Sequence, residues 1–140
     1  MKEPCWLDVR DVCAMQAEIL AESGGASGIL NKGALESTLN KAVNLYHYGD
    51  GETVYKLAAA YGYGLAKNHC FVDGNKRIAL IAVYTFLFIN GIELIASEVD
   101  AVAVFLDLAA SQETQAESLE TLAQWLKDNS VTHHAPSLSV

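Results

Sequence analysis

The strongest constraint in this 140-residue chain is a junction between two kinds of sequence. From Ile78 to Ile89 only Thr85 is not apolar, and immediately before that run stand Lys67-Asn68-His69-Cys70-Phe71-Val72-Asp73-Gly74-Asn75-Lys76-Arg77. An apolar segment of this length must be buried, yet it is shorter than the roughly 18 residues that a membrane span takes. The reading is a core helix entered through a polar, charged loop.

Such an entrance has its own chemistry. The first turn of a helix leaves backbone N–H groups without partners and carries the positive end of the peptide dipole, so a glycine loop leading into it can cradle an anion. Gly74 lets the backbone approach a ligand closely, while Asn75, Lys76 and Arg77 gather one amide and two cations at the same point. His69 can take up a proton near neutral pH, and a carboxylate such as Asp73 is the usual holder of magnesium beside a polyphosphate. Together these groups suit transfer of a phosphate-containing group to a hydroxyl. Each also has a plainer role alone: His69 as a cation at a helix end, Asp73 as an N-cap, Lys76 and Arg77 as solvated charges. Their crowding at the mouth of an apolar helix favours a site.

Charge narrows the partners. Nine basic against seventeen acidic residues give a net charge of −8, which disfavours direct contact with nucleic-acid phosphates. Lys67, Lys76 and Arg77 nevertheless fall close together, and no Lys or Arg occurs between Ile78 and Gln124. A local cationic pocket in an acidic molecule suits a small polyanion such as a nucleotide. Cys5, Cys13 and Cys70 form no Cys-x-x-Cys pair and leave an odd thiol, which points to a reducing, cytoplasmic setting. Met1 to Arg10 lacks the apolar run of a signal peptide, and no membrane association is expected.

An apolar fraction of 51% supports one core, and the periodicity predicts an all-α fold: a compact bundle of about six helices around a central buried helix. The first carries Val9, Val12, Cys13, Ile19 and Leu20 and stops at Ser23-Gly24-Gly25. The second runs from Ala34 to about Tyr48, before Gly49-Asp50-Gly51. The third spans Glu52 to about Asn68, where Ala58, Ala59, Ala60, Gly62 and Gly64 permit close packing. The fourth, Asn75 to about Asn90, is the central one. Ser97 caps a fifth bearing Val99, Val102, Ala103, Leu106 and Ala109, and Thr114 with Glu117 forms a capping box for a sixth bearing Leu119, Leu122, Ala123 and Leu126. The domain is placed at residues 1–128; residues 129–140, with His133, His134 and Pro136, are expected to be a disordered tail. Gly28 and Gly33 have the spacing of a P-loop, but Ala34 and Leu35 replace its lysine and hydroxyl. His133-His134 lacks further metal ligands.

The run His69-Cys70-Phe71-Val72-Asp73-Gly74-Asn75-Lys76-Arg77 resembles the His-x-Phe-x-Asp-Gly/Ala-Asn-Lys-Arg signature of the Fic/Doc (Fido) superfamily, in the form carried by its Doc branch. Likeness extends through Ser23-Gly24-Gly25, Gly33 to Ser37, Tyr61 to His69, Phe86 to Gly91 and Leu122 to Leu126, about residues 6 to 128. The resemblance implies the Fido fold and a toxin of a toxin-antitoxin system that uses ATP and Mg2+. It assigns His69 as base, Asp73 as magnesium ligand, Gly74 and Asn75 as donors to phosphate, and Lys76 and Arg77 as neutralising cations. Members that transfer AMP usually carry Gly-Asn-Gly-Arg with a second arginine three residues on; Lys76 and Leu80 stand at those places here, as in Doc. The implied reaction is transfer of the γ-phosphate to a Thr or Ser of elongation factor Tu, which blocks translation. AMP transfer is the alternative, and a non-catalytic helical binding module a third. No Ser or Thr has a glutamate four residues later, so the inhibitory helix of many Fic proteins is not recognisable. The resemblance implies restraint by a Phd-type antitoxin, through which any DNA contact would pass.

Overall fold

Five of the six helices in the described residues begin where a side-chain oxygen captures a first-turn amide. Asp8 opens α1 (Val9–Ser23), Asn31 opens α2 (Lys32–Tyr48), and Thr53 opens α3 (Val54–Lys67). Ser97 opens α5 (Glu98–Ala110) and Thr114 opens α6 (Gln115–Asp128). The exception is α4 (Asn75–Ile89), whose N-cap is Gly74, without any side-chain bond. The structure, a computed structural model, describes residues 2–49 and 52–133; Asp50 and Gly51 of the expected turn, and the tail from His134, lie outside the described residues.

These boundaries follow the sequence reading with local differences. Helix α2 starts at Lys32 rather than Ala34 because the Asn31 side chain accepts the Ala34 N–H at 2.9 Å, and Gly33 is absorbed into the first turn. At α6, Thr114 accepts the Glu117 N–H at 3.2 Å, half of the expected capping box.

The bundle closes around α3. Nine of its fourteen residues are buried, and a Cβ on Gly62 would lie 2.9 Å from Val83 of α4, 3.0 Å from Phe105 of α5 and 3.2 Å from Leu122 of α6. Small residues therefore let three helices approach one rod, and a large side chain there would force them apart. Helix α4 buries Ile78, Ala79, Ala82, Val83, Phe86 and Leu87, with Val83 beside Gly62 and Phe86 against Tyr61 of α3, but Tyr84, Phe88 and Ile89 remain exposed. Its composition suggested burial on all sides; the opposite face is instead an apolar surface shared with α5.

The tail expectation needs correction over residues 129–133, the part of it that the structure describes. Ser130–Thr132 forms strand β2, antiparallel to β1 (Ile92–Leu94), with Ile92 opposite Thr132 and Leu94 opposite Ser130. His133 continues the docking: its N–H donates to Gly91 O at 2.9 Å, and its ring stacks on Phe88 with centroids 4.4 Å apart. Ordered structure thus runs past residue 128, because the backbone groups after α6 find partners in the turn after α4.

Candidate active site

The loop between α3 and α4 is anchored to the rest of the bundle on both sides of His69. Asn68 ends α3 and donates from its amide to Thr38 Oγ1 at 2.9 Å. Cys70 and Phe71 are buried, and the Cys70 carbonyl accepts the Leu30 and Asn31 N–H groups at 2.8 and 3.1 Å. Val72 donates its N–H to Gly28 O at 3.1 Å, so residues 28–31 run beside 70–72 with an antiparallel bridge between Ile29 and Phe71. Burial pushes the Cys70 thiol above its ordinary range, with the nearby Thr38 hydroxyl opposing. A neutral, enclosed thiol is a packing group rather than a nucleophile.

Between these anchors His69 is exposed and makes no side-chain hydrogen bond among the described residues. Its φ is +48°, and it is the sole non-glycine residue with positive φ in the described chain. A left-handed conformation costs a residue with a Cβ about 1–2 kcal/mol, so the fold holds this histidine against its own preference.

Asp73 is not a cap. Its Oδ2 reaches across to the loop after α1 and accepts the Ala26 N–H at 2.8 Å. Gly25 permits that approach: its φ is +121°, and a Cβ there would stand 3.3 Å from the same oxygen. Gly74 follows at φ +86°, a conformation in which a residue with a Cβ would be strained. Ile78 N–H is the donor to Gly74 O at 2.8 Å, which leaves the amides of Asn75, Lys76 and Arg77 without intrahelical acceptors.

The remaining residues divide into holders and reachers. Asn75 spends its carboxamide on the loop itself, accepting the Phe71 N–H at 3.0 Å and donating to Phe71 O at 2.9 Å. It acts first as a clasp on the turn, which the sequence reading, with Asn75 as a phosphate donor, did not anticipate. Lys76 and Arg77 are exposed and form neither ion pairs nor side-chain hydrogen bonds among the described residues. Both line a cavity of about 200 Å3 between α4 and α5, with Leu80, Ile81, Glu98 and Val102 on its other walls. His69, Asp73, Gly74 and Asn75 do not line that cavity, so the sequence-identified residues share a loop but not one enclosed pocket. Sequence reasoning missed Gln16, a buried polar residue of α1 that bonds to both flanking loops. A signal existed: Gln16 lies four residues after Val12 and three before Ile19, on the face that faces the core.

A glycine-capped, cation-bearing helix mouth and an exposed histidine held at positive φ thus lie along one short stretch of an all-helical bundle. Residues 6–87 match the Fic/DOC family. The chain is 33% identical over 98 residues to Toxin Doc of Mycolicibacterium smegmatis, covering 69% of this chain and 75% of that one. It is 26% identical over 87 residues to Protein kinase doc of Escherichia phage P1, covering 62% and 69% respectively. The chain belongs to the Fic/DOC family, and within it to the Doc branch. No helix in the described residues is long and apolar enough to cross a membrane.

Proposed function

We propose that this chain is a Doc-type toxin of the bacterial cytoplasm that moves the γ-phosphate of ATP to a Thr or Ser hydroxyl of elongation factor Tu. The observation that carries this reading is the mouth of α4: three amides without intrahelical acceptors behind Gly74, flanked by the unpaired Lys76 and Arg77. Amide donors and cations gathered on the first turn of one helix suit phosphoryl transfer, since its catalysis is mostly positioning and charge stabilisation. The names of the two relatives, one a toxin and one a protein kinase, agree with it.

In this reading His69 takes the proton from the acceptor hydroxyl, and its exposed ring leaves an acceptor free access. Lys76 and Arg77 offset the charge that spreads over the transferring oxygens. Asp73 suits magnesium: its carboxylate is exposed, and only Oδ2 is engaged, by Ala26. No group of three potential metal ligands exists among the described residues, so the ion would rest on Asp73 and the nucleotide's own phosphates, a common arrangement for Mg2+. Bound there, magnesium would supply charge neutralisation of the polyphosphate.

Restraint is assigned to a Phd-type antitoxin. The cavity at Lys76 and Arg77 shares Leu80, Ile81 and Glu98 with a second of about 290 Å3 that reaches Tyr84 and Leu94. Exposed Val102 and Leu106 border this strip on α5. An amphipathic helix laid along it would bury apolar surface and screen the helix mouth in one act.

The test is incubation with elongation factor Tu and ATP labelled at the γ or the α position. Transfer of the γ label alone, with the mass of one phosphate, is expected. Transfer of the α label would establish the AMP-transferring alternative, and no transfer with no calorimetric binding of Mg2+-ATP would leave a helical binding module.

A further inference from the structure

We propose that Gln16 is a positioning residue that ties the loop after α1 to the catalytic loop and thereby sets the direction of the Asp73 carboxylate. Gln16 is 5% exposed, and both ends of its carboxamide are hydrogen-bonded. Its Nε2 donates to Asp73 O at 3.1 Å and to Gly28 O at 3.3 Å, while its Oε1 accepts the Gly28 N–H at 3.1 Å. One carboxamide therefore grips both loops, using both of its N–H groups and one oxygen.

The grip is relayed on either side. Gly28 O also accepts the Val72 N–H at 3.1 Å, so the same carbonyl joins three segments. Two residues before Gly28, Ala26 donates its N–H to Asp73 Oδ2 at 2.8 Å. The backbone of Asp73 is thus held by Gln16 directly, and its carboxylate is held by a loop whose place Gln16 also fixes. One Asp73 oxygen is pinned toward Ala26, and the other is left unengaged. A buried polar side chain satisfied only by two functional loops is a costly device for packing alone, because an apolar residue of the same length would fill the space without requiring partners.

The inference rests on the reading of Asp73 as the magnesium ligand. The test compares Gln16→Met, which keeps length and removes all three bonds, with the parent. Where the parent transfers phosphate, the variant is expected to lose about 10- to 100-fold in kcat, as supporting groups of metal ligands do. Its half-saturating Mg2+ concentration should rise while the KM for the acceptor protein holds. Hydrogen exchange should quicken at the Gly28 and Ala26 amides and not at core amides of α3. A folded variant with unchanged kcat and Mg2+ dependence overturns the proposal, as does a uniform loss of protection across the chain. Should the parent transfer nothing, the functional reading fails independently, and the exchange arm decides: faster exchange at Ala26 supports the coupling and an unchanged rate overturns it. Should Gln16→Met not fold, Gln16→Asn, one methylene too short to bridge both loops, takes its place with the same expected directions.

Discussion

At its C-terminal end α4 finishes with three of its last four carbonyl groups, those of Phe86, Leu87 and Phe88, occupied. Asn90 Nδ2 donates to Phe86 O at 2.8 Å, the Asn90 and Gly91 N–H groups donate to Leu87 O and Phe88 O at 3.0 and 3.1 Å, and His133 Nε2 donates to Phe88 O at 3.0 Å. At its N-terminal end there is no side-chain cap and no acidic residue in the first turn, and Lys76 and Arg77 stand against the positive end of the dipole. Helices α1, α5 and α6 do the reverse, with Asp11, Glu98 and Asp100, and Glu117 in their first turns. One end of the helix is built for stability. The other gives up stability and keeps amides and cations available, the arrangement expected where an anion completes the structure.

The largest test of that contrast is at His69. Loss of a general base lowers a rate by about 10²–10⁴. His69→Gly should therefore be inactive in phosphate transfer yet more stable in urea by about 1 kcal/mol, since glycine adopts positive φ without strain. A His69→Gly protein that stays active, or that is less stable than the parent, would break the assignment of this end to function.

Tyr61 tests the opposite end. Its ring lies against Phe86 with centroids 4.9 Å apart, its hydroxyl accepts the Leu7 N–H at 3.2 Å, and burial raises its pKa to about 12. An acid whose folded pKa lies above its unfolded value of 10.0 contributes stability fully below pH 10, and that contribution is lost as pH rises toward 12. The alkaline loss attributable to Tyr61 should be about 2–3 kcal/mol. In Tyr61→Phe the fall in stability between pH 9 and pH 12 should be smaller than in the parent by roughly that amount. An equal fall in both proteins would remove Tyr61 from the account.

Asn90 is the next step down. Asn90→Ala removes the donation to Phe86 O and the paired bonds with Cys5, whose N–H donates to Oδ1 at 2.8 Å and whose carbonyl accepts from Nδ2 at 3.0 Å. Leaving those groups unmatched should cost about 1–3 kcal/mol by chemical denaturation, with kcat unchanged on the fraction that is folded.

The contrast between the ends also explains what the sequence revealed. Short-range signals were legible: Ser97 and Thr114 as caps, Gly62 as a point of close approach, and the charged loop before an apolar run. These depend on spacings of a few residues, which side-chain chemistry alone determines. The Ile92–Leu94 and Ser130–Thr132 strands were not legible, because three residues carry no measurable alternation and their pairing joins segments more than thirty positions apart. At the site, residue types were readable but bonds were not. Asp73 reads as a magnesium ligand, or taken alone as an N-cap, and only the folded chain brings Ala26 to it. Asn75 reads as a ligand donor, and only the closed turn commits it to Phe71.

The smallest expected effect is the most direct probe of the contrast. If Lys76 and Arg77 oppose the α4 dipole, replacing both with glutamine should raise stability by about 0.3–1 kcal/mol per charge at low salt, since glutamine has a similar helix propensity. The gain should fade as salt shortens the reach of the charges, while phosphate transfer falls. Lys127 supplies the control, lying in the last turn of α6 where a cation meets the negative end of a dipole. Lys127→Gln should lower stability by a similar amount, so the same chemical change must act with opposite sign at the two kinds of helix end. A Lys76→Gln/Arg77→Gln protein less stable than the parent at low salt would mean that the fold itself holds these cations, and the open helix mouth would then have no claim as an anion site.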